Sequence, residues 1–293
     1  MKDITRLLCM VLLSFLVVTG CSRRDILDDY PVSGVEVRLD WSGVTEKLPE
    51  GVRIIFYPKD EKGRKIDTYL SVTGGEVKVP SGHYAVVIYN YDTETVLIRG
   101  EESYETIQAY TNFCKLGIAG TEKMVWGPDP LYVVNIDDLD IQNSEETLIL
   151  KLKPKLVIRT YSFSIKVQGL SNVSNVIGSI GGMADHYFLG KAYAMCDDYP
   201  INIDLNVKAG KIEGVFTTFG LPEAIITRLE IKLPVMMNLM IIKVDNSVQE
   251  VKINITEAVQ EPTGGGEGGE GEETKPPALV EVEIEDEIKV DDV

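Results

Sequence analysis

The sequence predicts a mainly β protein built as two tandem β-sandwich domains behind a secretory leader, with a disordered acidic tail. Three observations carry this expectation. Apolar and polar residues alternate with the two-residue period of a half-buried strand in one run after another. The runs recur about every ten residues and are separated by Gly, Pro, Asn and Asp turn chemistry, the pattern of a sandwich or barrel. Finally, the 273 residues left after a 20-residue leader exceed what one small core usually organises.

The leader comes first. Lys2 and Arg6 supply a basic start, and Leu7 to Val18 form an apolar run of 12 residues interrupted by Ser14. Such a run fits a signal peptide and falls short of the roughly 20 residues that span a bilayer as a helix. It ends in Leu16-Val17-Val18-Thr19-Gly20-Cys21, a lipobox in which small residues admit a peptidase beside the cysteine. The expectation is removal of residues 1–20, lipidation (diacylglyceryl and palmitate-type acyl chains) at Cys21, and attachment to the outer membrane. Several acyl chains hold a protein stably where one does not. Ser22, not Asp, follows the cysteine and favours outer-membrane sorting; Arg23 and Arg24 sit beside the head groups. Residues 21–34, with Asp28, Asp29, Pro31 and Gly34, read as a tether.

The N-terminal sandwich is expected over residues 35–153. Val35, Val37, Leu39 and Trp41 share a face opposite Glu36, Arg38 and Asp40. Strands are expected at 52–57, 68–73 and 76–79, punctuated by Pro58, Asp60 to Gly63 and Gly74-Gly75. Residues 83–91 are apolar on both faces, as in a strand buried on each side. Residues 104–113 fit a strand or a helical turn. Met124 to Pro128 form a rigid loop with Trp126 to pack. Residues 131–136 fit a strand and lead into Asp137, Asp138 and Asp140, an acidic loop that lacks the spacing of a calcium hand. Leu148, Leu150 and Leu152 alternate again before Pro154.

The C-terminal sandwich is expected over 154–260. Strands are read at 156–160 and 163–167. Val173, Val176, Ile177 and Ile180 have helix-like spacing and suggest one short helix. Ile201, Ile203, Leu205 and Val207 against Asn202, Asp204 and Asn206 make the clearest strand in the chain. Others follow at 187–189, 214–219, 225–233, 239–244 and 248–255.

Residues 261–293 change in kind. A Gly/Glu linker leads through Pro276-Pro277 to Val280, Val282, Ile284, Ile288 and Val290, which alternate with acids. Eleven acids against two lysines give residues 262–293 a charge of −9 out of the total −17. Disorder is one reading of such a stretch. The other is a tethered strand at 279–290 that adds to a sheet edge. The glycines are no phosphate loop, because the interleaved glutamates repel phosphate.

The composition excludes a basic nucleic-acid footprint. No catalytic constellation is found. The only histidines are His83 and His186; neither belongs to a zinc-binding pair, and no serine sits in a nucleophile elbow. Asp185 beside His186 is not half a triad if both lie in one strand, since neighbours then point to opposite faces. No cofactor and no metal site is expected. Cys114 and Cys196 are expected as free thiols, one in each domain. Tyr89, Tyr91, Tyr104 and Tyr110 would form the platform of a stand-alone surface protein binding glycan or host protein, the alternative to an assembly role.

Three short motifs give the chain a resemblance. Besides the lipobox, Trp126-Gly127-Pro128, Gly178 to Met183 with Tyr187-Phe188-Leu189-Gly190, and Thr217-Thr218-Phe219-Gly220 resemble the fimbrial anchor-type lipoproteins of Bacteroidales, over most of residues 15–258. The resemblance implies transthyretin-like sandwiches, a surface-facing outer-membrane location, and a non-catalytic role as fimbrial anchor, assembly or accessory adhesion subunit. It implies fimbrial shaft subunits as partners, joined by strand complementation. Residues 262–293 depart from the family pattern.

Overall fold

The computed structural model describes residues 32–45, 47–60, 63–114, 123–222, 233–259 and 279–291. The leader, Cys21, most of the tether, nearly all of the strand expected at 225–233 and the Gly/Glu linker lie outside the described residues.

The chain is almost entirely strand. The first half holds β1 (Val32–Leu39), β2 (Gly51–Pro58), β3 (Ile66–Ser71), β4 (Gly74–Pro80), β5 (Gly82–Asn90), β6 (Val96–Arg99), β7 (Gln108–Thr111), β8 (Phe113–Cys114), β9 (Met124–Val125), β10 (Tyr132–Ile141), β11 (Leu148–Leu152) and β12 (Lys155–Leu156). The second half holds β13 (Arg159–Gln168), β14 (Val173–Gly181), β15 (His186–Phe188), β16 (Tyr193–Met195), β17 (Ile201–Lys208), β18 (Lys211–Thr218), β19 (Met236–Lys243), β20 (Val248–Asn254) and β21 (Leu279–Lys289).

One sheet runs β11-β1-β4-β3-β2-β5-β10-β12. It folds over on itself, because Val35 and Val37 of β1 and Val77 and Val79 of β4 share a core with Ile54 and Phe56 of β2 and Val86 and Ile88 of β5. Trp41 closes this core, with its ring edge against Tyr132 at 5.3 Å and its indole N–H donating to the Val72 carbonyl at 2.6 Å. The second sheet runs β20-β19-β14-β17-β18-β13-β21, with β8 and β9 attached to β17, around Tyr161, Phe163, Ile165, Ile180, Phe216 and Leu239.

A third, four-stranded sheet, β16-β15-β7-β6, joins the halves. Its strands β6 and β7 come from the first half and β15 and β16 from the second; His186 lies opposite Tyr110 and Phe188 opposite Gln108. Beneath it lies a third core made of Ile55, Val87, Tyr89, Ile107 and Leu131 with Ala184, Leu189, Ala194 and Phe219. This explains the apolar character of both faces of β5. Tyr84, Val86 and Ile88 enter the first core, while Ala85, Val87 and Tyr89 enter the third.

Three expectations are corrected here. Residues 173–180 form β14, not a helix, preceded by a 3-10 turn at Leu170–Asn172. Val176 and Ile180 point inward with Gly178 between them, and β-branched residues flanked by β17 and β19 favour the pleated backbone. The acidic loop at Asp137 and Asp138 is a bulge within the long strand β10, where the register against β5 shifts between Ile136 and Leu139. Over 279–289 the disordered acidic tail is replaced by β21, which lies parallel to β13 from Thr160 opposite Leu279 to Gln168 opposite Lys289.

Candidate functional site

The tail strand shows how an acidic segment can be folded. Its carboxylates alternate with apolar residues, so Glu281, Glu283 and Glu287 face solvent while Val282 and Ile288 are buried. The register against β13 shifts by two residues between Ser164 and Lys166. A two-residue shift keeps the parity of the strand, and so Ile288 returns to the same face as Val282. Val290 continues inward past the strand end.

The end of the strand is latched. The Val290 N–H donates to the Gln168 carbonyl at 3.0 Å. The Gln249 side chain acts as a peptide group would: its Nε2 donates to the Lys289 carbonyl at 2.8 Å, and its Oε1 accepts from the Asp291 N–H at 3.2 Å. Gln249 belongs to β20, at the opposite end of the sheet, so this amide draws the two edges together. Lys243, whose side chain is 10% exposed, places its ammonium 3.9 Å from the Asp291 carboxylate. Gly169, at φ +81°, lets Val290 approach; a Cβ there would stand 2.8 Å from the Val290 carbonyl oxygen.

The motifs behind the family resemblance converge at the seam between the halves. A Cβ on Gly127 would stand 2.5 Å from Thr217 Oγ1, and one on Gly190 would stand 2.1 Å from the Tyr104 carbonyl oxygen. Fully buried Thr218 donates its hydroxyl to the Ala184 carbonyl at 2.8 Å, and the Ala184 N–H donates to the Gly220 carbonyl at 2.9 Å. These short motifs are therefore joints, and glycine is required where two backbones touch. Trp126 itself is 43% exposed, its carbonyl accepting from Thr111 Oγ1 at 2.6 Å.

The side chains considered for chemistry are mostly committed to partners. His83 is exposed and lies 3.2 Å from Asp138 and 3.8 Å from Asp140, and Asp138 also meets Lys59 at 3.2 Å. These partners hold the Asp138 carboxyl below the usual carboxylate range, with Lys59 the larger cause. Asp137 accepts the Tyr104 hydroxyl at 2.8 Å. A cleft of about 570 Å³ opens beside these groups, but Lys191 is paired with Glu105 at 2.8 Å and Lys65 donates to the Glu101 carbonyl. Of the four tyrosines read as a platform, Tyr89 and Tyr104 are buried, and Tyr110 is half-buried under the Arg99 guanidinium at 4.7 Å. Only Tyr91 is exposed, edge-on to Tyr69.

Asp185 and His186 are a further correction. Asp185 lies in a bend before β15, outside the strand, so the opposite-faces argument does not apply to it. Both side chains are buried, and His186 Nδ1 donates to Asp185 Oδ1 at 2.6 Å. Their separation from the strand pattern is a matter of one residue, below what alternation resolves.

Cys114 and Cys196 are free thiols, Cys114 buried and Cys196 half-buried. Burial raises both; at Cys196 the carboxylates of Asp185, Asp198 and Asp197 add to it, and the thiol is pushed up to about 11. At pH 8 its thiolate fraction is then about 10⁻³, roughly 100-fold below that of an ordinary thiol. Iodoacetamide is expected to modify Cys196 at least tenfold more slowly in the native protein than in urea. Equal rates would show that the thiol is not held in this environment.

Comparison with known proteins agrees with the family resemblance. The model of a family described as a domain of unknown function (DUF5119) matches residues 20–204. A protein of Bacteroides ovatus (strain ATCC 8483) named "Putative fimbrium anchoring subunit Fim4B" is 51% identical over 293 residues, covering 96% of this chain and 88% of its own length. The chain belongs to this family of fimbrial anchor-type proteins. The crystal structure of a "putative adhesin" from Bacteroides ovatus ATCC 8483 is 49% identical, with a TM-score of 0.77 over 93% of this chain and 97% of that one. The fimbrial anchor protein Mfa2 of Porphyromonas gingivalis has the same fold at 14% identity, with a TM-score of 0.50 over 78% of this chain and 83% of its own. Among the described residues no helix is long and apolar enough to cross a membrane.

Proposed function

We propose that this protein is a non-catalytic outer-membrane lipoprotein that holds a fimbrium, or an accessory adhesion subunit of one, at the cell surface. The observation that carries the reading is the 51% identity to a fimbrium anchoring subunit across 96% of the chain. The lipobox ending in Cys21 supports a lipid tether, and β1 begins at Val32, within the last residues of the segment read as tether. Fimbrial shaft subunits are the partners, engaged through added strands. The way β21 is itself added along β13 as a parallel strand supports this, since it is the same kind of strand addition. The committed side chains around His83, Asp137 and Lys191 support a role without catalysis.

The test is a Cys21→Ala variant expressed in the native host. Loss of the acyl chains removes about 0.8 kcal/mol for every buried CH₂, and the protein is expected to leave the membrane fraction. Fibres should then be shed into the medium. If the variant stays with the membrane, the lipid tether is wrong. If fibres purified from the wild type lack the protein, the anchoring role is wrong.

A further inference from the structure

Asp185, His186 and Asp197 come together at one end of the third sheet, the first two buried and the third exposed. Asp185 is in the bend before β15, His186 opens that strand, and Asp197 follows β16; the pairing of His186 with Met195 brings the two ends of the hairpin side by side. One ligating atom from each of the three lies within 4.8 Å of the others. His186 Nδ1 is 2.6 Å from Asp185 Oδ1 and 3.9 Å from Asp197 Oδ2. A tetrahedral shell with bonds of about 2.0 Å sets its donor atoms about 3.3 Å apart. The two observed imidazole–carboxylate separations bracket that value, so adjustments of well under 1 Å on each side bring His186 and both aspartates to tetrahedral spacing from the imidazole.

The charges give an independent argument. The Asp185 side chain is 5% exposed and that of His186 is 6% exposed. A carboxylate buried to that extent is either paired and hydrogen-bonded or bound to a metal ion. Among the described residues, Asp185 Oδ2 receives backbone N–H groups from Asp197 at 2.9 Å and Tyr199 at 3.4 Å. The described guanidinium beside the cluster, that of Arg99, is 3.9 Å from Asp197 Oδ2, the oxygen that also faces His186; it donates to Gln108 at 3.0 Å and lies over the Tyr110 ring. Two carboxylates thus converge on one imidazole nitrogen, and among the described residues the nearby guanidinium meets Asp197. The backbone donors also fix the Asp185 carboxylate with Oδ1 turned toward the imidazole, the outer support that ligating carboxylates need.

We infer that Asp185, His186 and Asp197 form a binding site for a divalent metal ion of the zinc class. His186 Nδ1 and one oxygen from each aspartate supply three ligands, and water takes the fourth position. Imidazole with carboxylates suits zinc better than calcium or magnesium, which take all-oxygen shells. On binding, the Nδ1 proton is released to solvent and the ion takes its place. The ion would staple β15 to the chain leaving β16, beside the joint between the halves.

The experiment is calorimetric titration of the detergent-solubilised full-length protein with zinc chloride, after EDTA treatment and dialysis. One zinc per chain is expected, with affinity reduced at least tenfold in Asp197→Asn. That residue is exposed, so the variant should keep the wild-type melting temperature in EDTA. Cys196→Ala should bind zinc as the wild type does. Cobalt should give the visible bands of a tetrahedral site without a thiolate charge-transfer band. No heat and no zinc-dependent rise in melting temperature would overturn the inference and leave a plain Asp–His hydrogen bond. So would unchanged binding in Asp197→Asn, or binding lost in Cys196→Ala, which would make the thiol the ligand.

Discussion

A chain ending at residue 260 is expected to lose most of its thermal stability. The truncation removes β21 and with it the buried side chains of Val282, Ile288 and Val290. Each buried aliphatic side chain contributes about 1.5–3 kcal/mol, so the three together contribute roughly 6 kcal/mol. That is comparable with the whole net stability of a typical domain, about 5–15 kcal/mol. Tyr161, Phe163 and Val167 of β13 would lose cover as well. The melting temperature should fall by about 10–20 °C for a chain of this size, or the cooperative transition should disappear. Gln249→Ala should produce a small version of the same effect, about 1 kcal/mol, because it breaks two hydrogen bonds at the strand end. An unchanged melting curve after truncation would mean that β21 contributes nothing to the fold.

The second large effect is expected at the seam. Gly190→Val should cost at least about 3 kcal/mol, the upper part of the range for overpacking. A Cβ at this position stands 2.1 Å from the Tyr104 carbonyl oxygen and 3.0 Å from its ring. Tyr104 has little freedom to retreat. Its hydroxyl is bonded to Asp137, its ring lies edge-on to Tyr57, and Lys191 sits over it. Hydrogen exchange should rise in β15, β16 and the 101–107 turn before it rises in β1 or β19. A uniform rise across both halves would mean that the seam does not open separately. A wild-type exchange pattern would remove the seam argument.

The sequence announces elements in which one face is wet and hides those whose partners are distant. Ile201 and Ile203 alternate with polar residues, and β17 is found as expected. The two apolar faces of β5 are equally legible, although only the structure shows that they belong to two different cores. In β14, Val173, Val176, Ile177 and Ile180 also satisfy helical spacing, and nothing local separates the two periods; β17 and β19 decide it. The tail was ambiguous because charge density argues for disorder while alternation argues for strand, and the deciding energy comes from Phe163 and Val167, more than 100 residues away. The Asp185–His186–Asp197 cluster was concealed by a strand boundary that falls between two adjacent residues. Gly190 stands out in the sequence as part of a short motif, but the reason for it, a backbone from the other half of the chain, has no local signal.

The position of β1 decides how the protein would bear load through the proposed tether. β1 is an interior strand, with β11 parallel on one side and β4 antiparallel on the other. A pull applied at residue 32 along the strand axis works against both ladders in shear, so the bonds from Val35 to Leu39 share the force instead of parting one at a time. Strands gripped in that way resist extraction far better than an edge strand peeled from its end. With the proposed tether at Cys21, a cell that drags on a fibre would load β1 along two ladders at once.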